Sequence, residues 1–379
     1  MIAANVQDFR GQAQRRLPRF LFDYIDGGSY AERTLGKNTE DFERLALRQR
    51  VLRDVSRIDL STELLGTKAA MPLALAPVGL AGMFARRGEV QAARAAKAAG
   101  VPFCLSTVSG CSLAEVGAAL QAPFWFQLYM IKDRGFMREV LQRAQEEGCT
   151  ALLFTVDLAV PGARYRDVRA GLTGSGLNIA LRRAWQIASR PHWLWDVGVC
   201  GRPHSFGNLA ARVPGASRIG DFWKWVGSNF DASVTWKELD WIRQSWKGPL
   251  VIKGILDVED AREAAALGAD GIVVSNHGGR QLDGALSGVR ALPPIAEAVG
   301  DKLTLLMDGG VRSGLDVVRA LALGARGVLI GRAWAYALAA DGERGVARML
   351  QILRQEMHVA MALTGHRTIG ELDTSALAL

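Results

Sequence analysis

Cysteine is scarce in this chain and poorly placed for chemistry. The four residues, Cys104, Cys111, Cys149 and Cys200, share no CxxC spacing and stand near no cluster of histidines. Reduced structural thiols and no metal site are therefore predicted. Long apolar runs are missing too. No uninterrupted stretch reaches the roughly 18 residues that a membrane-spanning helix needs, so none is expected. The first residues, Met1 to Arg19, carry Asp8 and several arginines but no apolar h-region. They do not read as a secretory signal, and the chain is expected to stay on the cytoplasmic side. No GxGxxG follows the first apolar run, which counts against a dinucleotide-binding doubly wound sheet. Nor does any nucleic-acid-binding motif accompany the formal charge of +8. That charge is left to an anionic membrane surface or an anionic substrate.

What is present suits one large α/β unit. With 379 residues, 49% of them apolar and 22% charged, the chain is long enough for a barrel-sized core with extensions, read as a single domain over 1–379. Residues 1–70 read as an N-terminal helical extension. Val6–Leu17 and Leu21–Ile25 alternate apolar and charged residues at helical spacing, Pro18 separates them, and Gly27 and Gly28 close the second. From residue 71 onward, short apolar runs alternate with alanine-rich helical stretches. The runs are 72–76, 101–105, 124–128, 151–156, 250–252, 272–274, 303–307 and 328–330. The helices include 90–99, 136–147, 258–267 and 315–323, with Gly100, Gly148, Gly268 and Gly324 just past their ends. Eight β-then-α units predict a (β/α)8 barrel.

Such a barrel carries its chemistry at the C-terminal ends of its strands. Those ends hold Pro77, Val78 and Gly79, where a backbone lets a flat ligand approach, then Ser106, then Gln127 with Tyr129, then Thr155 with Asp157. The later ends hold Lys253, Ser275 with His277, Asp308 to Arg312, and Gly331 with Arg332. Gly309, Gly310, Arg312, Gly331 and Arg332 follow the seventh and eighth strands, where phosphate sites of these barrels form. His277 and Arg280 pair a base able to titrate near neutral pH with a fixed planar cation, which suggests an acid substrate.

About ninety residues separate the fourth and fifth strands, too many for one helix and its loops. The insertion, 171–230, carries Arg182, Arg183, Arg190, Arg202, Arg212, Arg218 and Lys224 against Asp196 and Asp221. It also holds Trp185, Trp193, Trp195, Trp223 and Trp225. Arginine with tryptophan reads as a membrane-interface patch or as a lid packed on the barrel, and both readings stand.

The stretch Ser275-Asn-His-Gly-Gly-Arg-Gln-Leu-Asp283 resembles the active-site signature of the FMN-dependent 2-hydroxy-acid oxidases and dehydrogenases, and the likeness runs from Tyr24 to beyond Arg332. Through Ala76-Pro-Val-Gly-Leu80, Pro161-Gly-Ala-Arg-Tyr-Arg166 and Val251-Ile-Lys-Gly-Ile255 the chain is most similar to the bacterial respiratory, quinone-linked L-lactate dehydrogenases. The resemblance implies an FMN held by Ser106, Gln127, Thr155, Lys253 and Ser275, with Asp308 to Arg312 and Gly331-Arg332 at its ribityl and phosphate end. It implies that Tyr24, Arg164 and Arg280 surround the substrate carboxylate, that Tyr129 meets the hydroxyl or keto oxygen, and that His277 is a base partnered by Asp157. It further implies oxidation of a 2-hydroxy acid, a quinone as electron acceptor, peripheral attachment to the cytoplasmic face of the inner membrane, and a homotetramer. A small residue at Gly79 goes, in that family, with dehydrogenases that pass electrons to an acceptor other than oxygen.

Overall fold

The computed structural model describes residues 2–202, 204, 206–209, 225 and 227–378. Two short strands, β1 (Thr62–Leu64) and β2 (Thr67–Ala69), form an antiparallel hairpin. Eight further strands follow: β3 (Leu73–Leu75), β4 (Cys104–Ser106), β5 (Phe124–Tyr129), β6 (Cys149–Thr155), β7 (Leu250–Ile255), β8 (Gly271–Val274), β9 (Thr304–Asp308) and β10 (Gly327–Ile330). They pair in parallel in the order β3-β10-β9-β8-β7-β6-β5-β4. A parallel bridge from Leu75 to Phe103 brings the two edges of the sheet together, which makes it a barrel.

The strands are buried on both faces, as their continuous apolar runs require. Outward residues pack beneath the helices. Inward ones, including Ala74, Cys104, Trp125, Leu153, Val251, Val273, Leu306 and Leu329, fill the interior. The hairpin contributes Leu64, Leu65 and Ala69 to that same cluster, so it plugs the N-terminal end of the barrel. Two residues further along each strand, and so on the same face, stand Ala76, Ser106, Gln127, Thr155, Lys253, Ser275, Asp308 and Gly331. At six of these eight positions, all but Ala76 and Gly331, the interior changes from apolar to polar at its C-terminal end.

The expected helices form with ends shifted by a residue or two, at Gly88–Ala99, Arg134–Glu146, Val258–Ala266 and Gly314–Ala322. Side-chain caps start them at Asp133, Asp257 and Ser313. Gly100, Gly148, Gly268 and Gly324 follow in the left-handed region. The N-terminal extension is less purely helical than expected. It holds helices Val6–Arg16, Arg19–Asp26 and Arg33–Glu43, and then the hairpin that enters the barrel core. The hairpin escaped a periodicity reading because each strand has only three residues. Gly27 and Gly28 end the second helix for a reason other than left-handed geometry. Gly27 has φ −72°, and a Cβ at either position would meet backbone oxygen, Asp23 O at 2.6 Å or Gly279 O at 2.8 Å.

In the insertion, the described residues form helix Leu177–Ala188, a turn at Pro191–Trp193 and a wide helical turn at Leu194–Val199. Arg212, Arg218, Asp221, Trp223 and Lys224 lie outside the described residues.

Candidate active site

The polar layer is wired across the barrel. Ser106 Oγ donates to Gln127 Oε1 (3.0 Å), and Gln127 Nε2 donates to Thr155 Oγ1 (3.0 Å). On the other side Lys253 Nζ lies 3.0 Å from both Ser275 Oγ and Asp308 Oδ2, while Ser275 Oγ donates to Asp308 Oδ1 at 2.5 Å. Burial works to push the Lys253 ammonium down, but the carboxylates of Asp308 and Asp157 outweigh it, and the net shift is upward. Lys253 therefore stays charged, a fixed cation in the floor.

His277 follows β8 with φ +56°, and Gly278 and Gly279 continue at +65° and +73°. Such a conformation is costly for histidine and persists only where its surroundings enforce it. Here they do: Ser275 Oγ accepts from the His277 amide (3.0 Å), and Asn276 Oδ1 accepts from the Gly279 amide (3.0 Å). Asn276 and Asn38 exchange two amide hydrogen bonds, and Asp283 accepts from the amides of Ala31 and Thr34. The signature's asparagine and aspartate thus bolt the turn to the N-terminal extension.

The turn sets His277 Nδ1 at 2.9 Å from Asp157 Oδ1. With Asp157 anionic, Nδ1 carries the proton and Nε2 presents its lone pair. Burial pushes the imidazole below its ordinary pKa, and the opposing pull of Asp157 does not restore it. Behind the pair, β7 bulges at Gly254, whose φ is +111°. A Cβ there would lie 2.6 Å from Asp157 Cβ. Gly254→Ala is expected to cost about 1–3 kcal/mol of stability and to loosen the His277–Asp157 pair by displacing Asp157; thermal melts and the NMR titration of His277 check this.

Facing the base are two arginines. Arg280 donates through Nη1 to the carbonyls of Tyr24 (2.6 Å) and Gly27 (3.0 Å), and its guanidinium carbon stands 4.8 Å from the Tyr24 ring centroid. Arg164 approaches the same ring at 6.0 Å. Burial, then the like charge of Arg280, pushes Arg164 down to about 10. Two cations sharing a buried space favour an anion between them. Tyr24 itself is placed by its helix, which is anchored through Asp23 and Asp26. Arg166 bonds to both carboxylates, and Arg10 and Tyr336 bond to Asp26. Burial raises Asp26, yet those hydrogen bonds overcome it and hold the carboxyl far below the usual range. Nothing in the local sequence pattern singled out that network.

One cavity, about 1200 Å³ counting the space open to solvent at its mouth, gathers most of the predicted residues. Tyr24, Pro77, Val78, Gly79, Tyr129, Thr155, Arg164, Lys253, His277, Arg280, Asp308, Gly309, Gly310, Arg312, Gly331 and Arg332 line it. Ser106, Gln127, Asp157 and Ser275 are not among its lining residues and support it from behind. Arg332 lines the cavity and is also fixed in place, with Nε, Nη1 and Nη2 donating to the carbonyls of Ile25, Gly278 and Gly27. Its burial pushes it down to about 9. The apolar wall, with Phe84, Val108, Leu158, Pro161 and Phe230, was not foreseen. These residues sit in loops without periodicity.

A histidine oriented by a carboxylate, two arginines lining the same cavity, and a buried lysine at the C-terminal mouth of a (β/α)8 barrel make a site suited to proton transfer on a small acid. The chain belongs to the FMN-dependent dehydrogenase family, whose profile matches residues 13–379. It is 64% identical to an L-lactate dehydrogenase of Caulobacter sp. (strain K31) over 378 residues, covering 100% of this chain and 99% of the relative. Among solved structures, the monotopic membrane protein (S)-mandelate dehydrogenase superposes with a TM-score of 0.93 at 36% identity, covering 100% of this chain and 99% of the other. A mandelate oxidase superposes at 0.83 with 38% identity, covering 99% and 98%.

The cofactor is accordingly FMN, and the residues fit it. One lining joins Tyr129, His277 and Arg280 to Gly309, Gly310 and Arg312, so a flavin and a small acid would share the same space. Lys253 supplies a cation at the floor, and Gly309, Gly310 and Gly331 give a backbone-lined end beside Arg312. Gly79 leaves clearance where a methyl group would come within 2.7 Å of Val108 Cγ2.

Proposed function

We propose that this protein oxidises L-lactate to pyruvate and delivers the electrons to a membrane quinone. The observation that carries the reading is the His277–Asp157 pair facing Arg164 and Arg280 across one cavity, in a chain 64% identical to an L-lactate dehydrogenase along its whole length. FMN, when bound, supplies the acceptor for two electrons. Arg164 and Arg280 hold the substrate carboxylate. Tyr129, whose phenol is raised by burial and by Asp157, remains protonated and donates to the oxygen on the reacting carbon. His277 Nε2 takes up one of the two protons the acid loses, and Asp157 stabilises the resulting imidazolium, a contribution of about 10²- to 10⁴-fold. Lys253 favours negative charge developing at the floor. Anaerobic mixing with each enantiomer of lactate tests the reading: L-lactate should bleach the yellow flavin, and reduction by neither enantiomer would overturn it. Fold similarity to mandelate dehydrogenase favours (S)-mandelate as the second reading, and the same assay run with (S)-mandelate beside L-lactate separates the two.

The same proposal includes peripheral attachment to a membrane, at its cytoplasmic face. No helix among the described residues is long and apolar enough to cross a membrane. In the insertion, however, Leu177, Leu181, Trp185, Trp195 and Val199 are exposed, with Trp185 at 74%. Leu177, Leu181 and Trp185 recur every four residues along one helix and so share a face, the pattern of an interfacial helix. The insertion's tryptophans do not act alike. Trp193 is buried and donates to Met83 O (2.8 Å), and Trp225 packs on Phe230. Arg190 Nε donates to Leu17 O (3.1 Å), which fastens the segment to the body of the protein, while Arg183 donates to Gly174 O within the insertion itself. The lid and membrane readings therefore fall on different residues of one insertion. Membranes washed at low salt should retain the protein, and recovery of all of it in the wash would overturn attachment. Light scattering in detergent checks the homotetramer.

A further inference from the structure

The insertion returns to the barrel at the active site. Phe230 forms an antiparallel bridge with Ile131, just beyond β5. Around it the Lys132 amide donates to Asn229 O (2.8 Å), the Asp231 amide donates to Met130 O (3.1 Å), and Asp231 is salt-bridged to Arg134. This backbone is pinned on both sides of residue 230. The Phe230 ring then lies 5.0 Å from the Tyr129 ring at an interplanar angle of 33°, and Trp225 packs on it edge-to-face at 6.4 Å. Phe230 is 7% exposed and lines the same cavity as Tyr129, His277 and both arginines.

We infer that Phe230 is a specificity-determining residue that closes the side-chain end of the substrate pocket and confines the enzyme to 2-hydroxy acids with short aliphatic side chains. This rests on the hydroxy-acid reading above and deepens it. Tyr129 must stand beside the reacting carbon to meet its oxygen, and Phe230 is the next ring outward. A substituent longer than methyl or ethyl projects from that carbon into a wall that cannot swing aside, because its backbone is bridged and its ring is braced by Trp225. The wall is contributed by the insertion rather than by a barrel strand. Substrate range is thereby separated from the catalytic side chains, and a different insertion end would alter the first without touching the second.

The test is anaerobic stopped-flow reduction of the holoenzyme flavin by L-lactate, (S)-2-hydroxybutanoate, (S)-2-hydroxyhexanoate and (S)-mandelate, in the native protein and in Phe230→Ala and Phe230→Leu. The ratio of second-order rate constants, long acid over lactate, is expected to rise about 10-fold or more in Phe230→Ala, the scale on which added space in an apolar pocket acts. A smaller rise is expected in Phe230→Leu. A residue that only supports the fold would slow all four acids equally and leave the ratio alone. A ratio within twofold of the native value in every variant that binds flavin would overturn the proposal. If Phe230→Ala fails to fold, Phe230→Leu decides. Should the native flavin be reduced by another 2-hydroxy acid and not by L-lactate, the lactate reading fails; the ratio taken against that acid still judges Phe230.

Discussion

His277→Gln is expected to yield a protein that keeps its yellow flavin but is reduced by L-lactate about 10⁴-fold more slowly, the upper range for loss of a positioned base. Glutamine preserves a donor toward Asp157 and approximates the side-chain volume, but its amide accepts no proton. The contacts among Lys253, Ser275 and Asp308, proposed above to support the flavin, lie outside the substituted side chain, so colour should survive. Stopped-flow absorbance under argon measures it, and a native reduction rate would remove His277 as the base. The native enzyme's pH profile follows from the same geometry. Burial depresses the imidazole pKa, and only the neutral ring accepts a proton. Reactivity should therefore hold as pH falls through 6.5, the ordinary histidine value. It should drop tenfold per pH unit only below the depressed pKa. An acid limb above pH 6.5 would contradict this assignment.

Arg280→Met is expected to raise the KM for L-lactate by roughly two to three orders of magnitude, from the 2–5 kcal/mol that a buried partner of a charged group is worth. Methionine retains the stem over Tyr24 but loses the charge and the two donors to Tyr24 O and Gly27 O. Arg164 remains, so binding is weakened rather than abolished. Arg280→Lys should recover only part of the loss, because an ammonium restores charge without the planar fork. A KM within threefold of native for Arg280→Met would place the substrate carboxylate elsewhere. Burial and Arg280 together depress Arg164. Removing Arg280 should therefore raise the Arg164 pKa, the direction expected when one of two like charges is lost.

Much of this site was legible before any fold was known, for a definite reason. In a strand, alternate residues share a face, so an apolar run that ends in a polar residue two places beyond an inward one declares which side chain will face the barrel mouth. Lys253 after Val251, Ser275 after Val273 and Asp308 after Leu306 are read that way. The glycines at 100, 148, 268 and 324 likewise announced helix ends, since each takes a positive φ there. The contacts of Asn276 with Asn38 and of Asp26 with Arg166 carried no such mark, because each joins residues far apart in the chain and no local period encodes them.

The sequence by itself determined the eight β-then-α units, the polar residues at their C-terminal ends, and the signature holding His277 and Arg280. These are local properties, written in periodicity and in the conformations glycine permits. Tertiary structure alone decided that the hairpin at 62–69 plugs the barrel, that Arg332 bonds to carbonyls, that Trp185 and Trp195 are exposed while Trp193 is buried, and that Phe230 walls the pocket. Burial and contact depend on which distant segments arrive at the same place, and that is settled only when the whole chain has closed on itself.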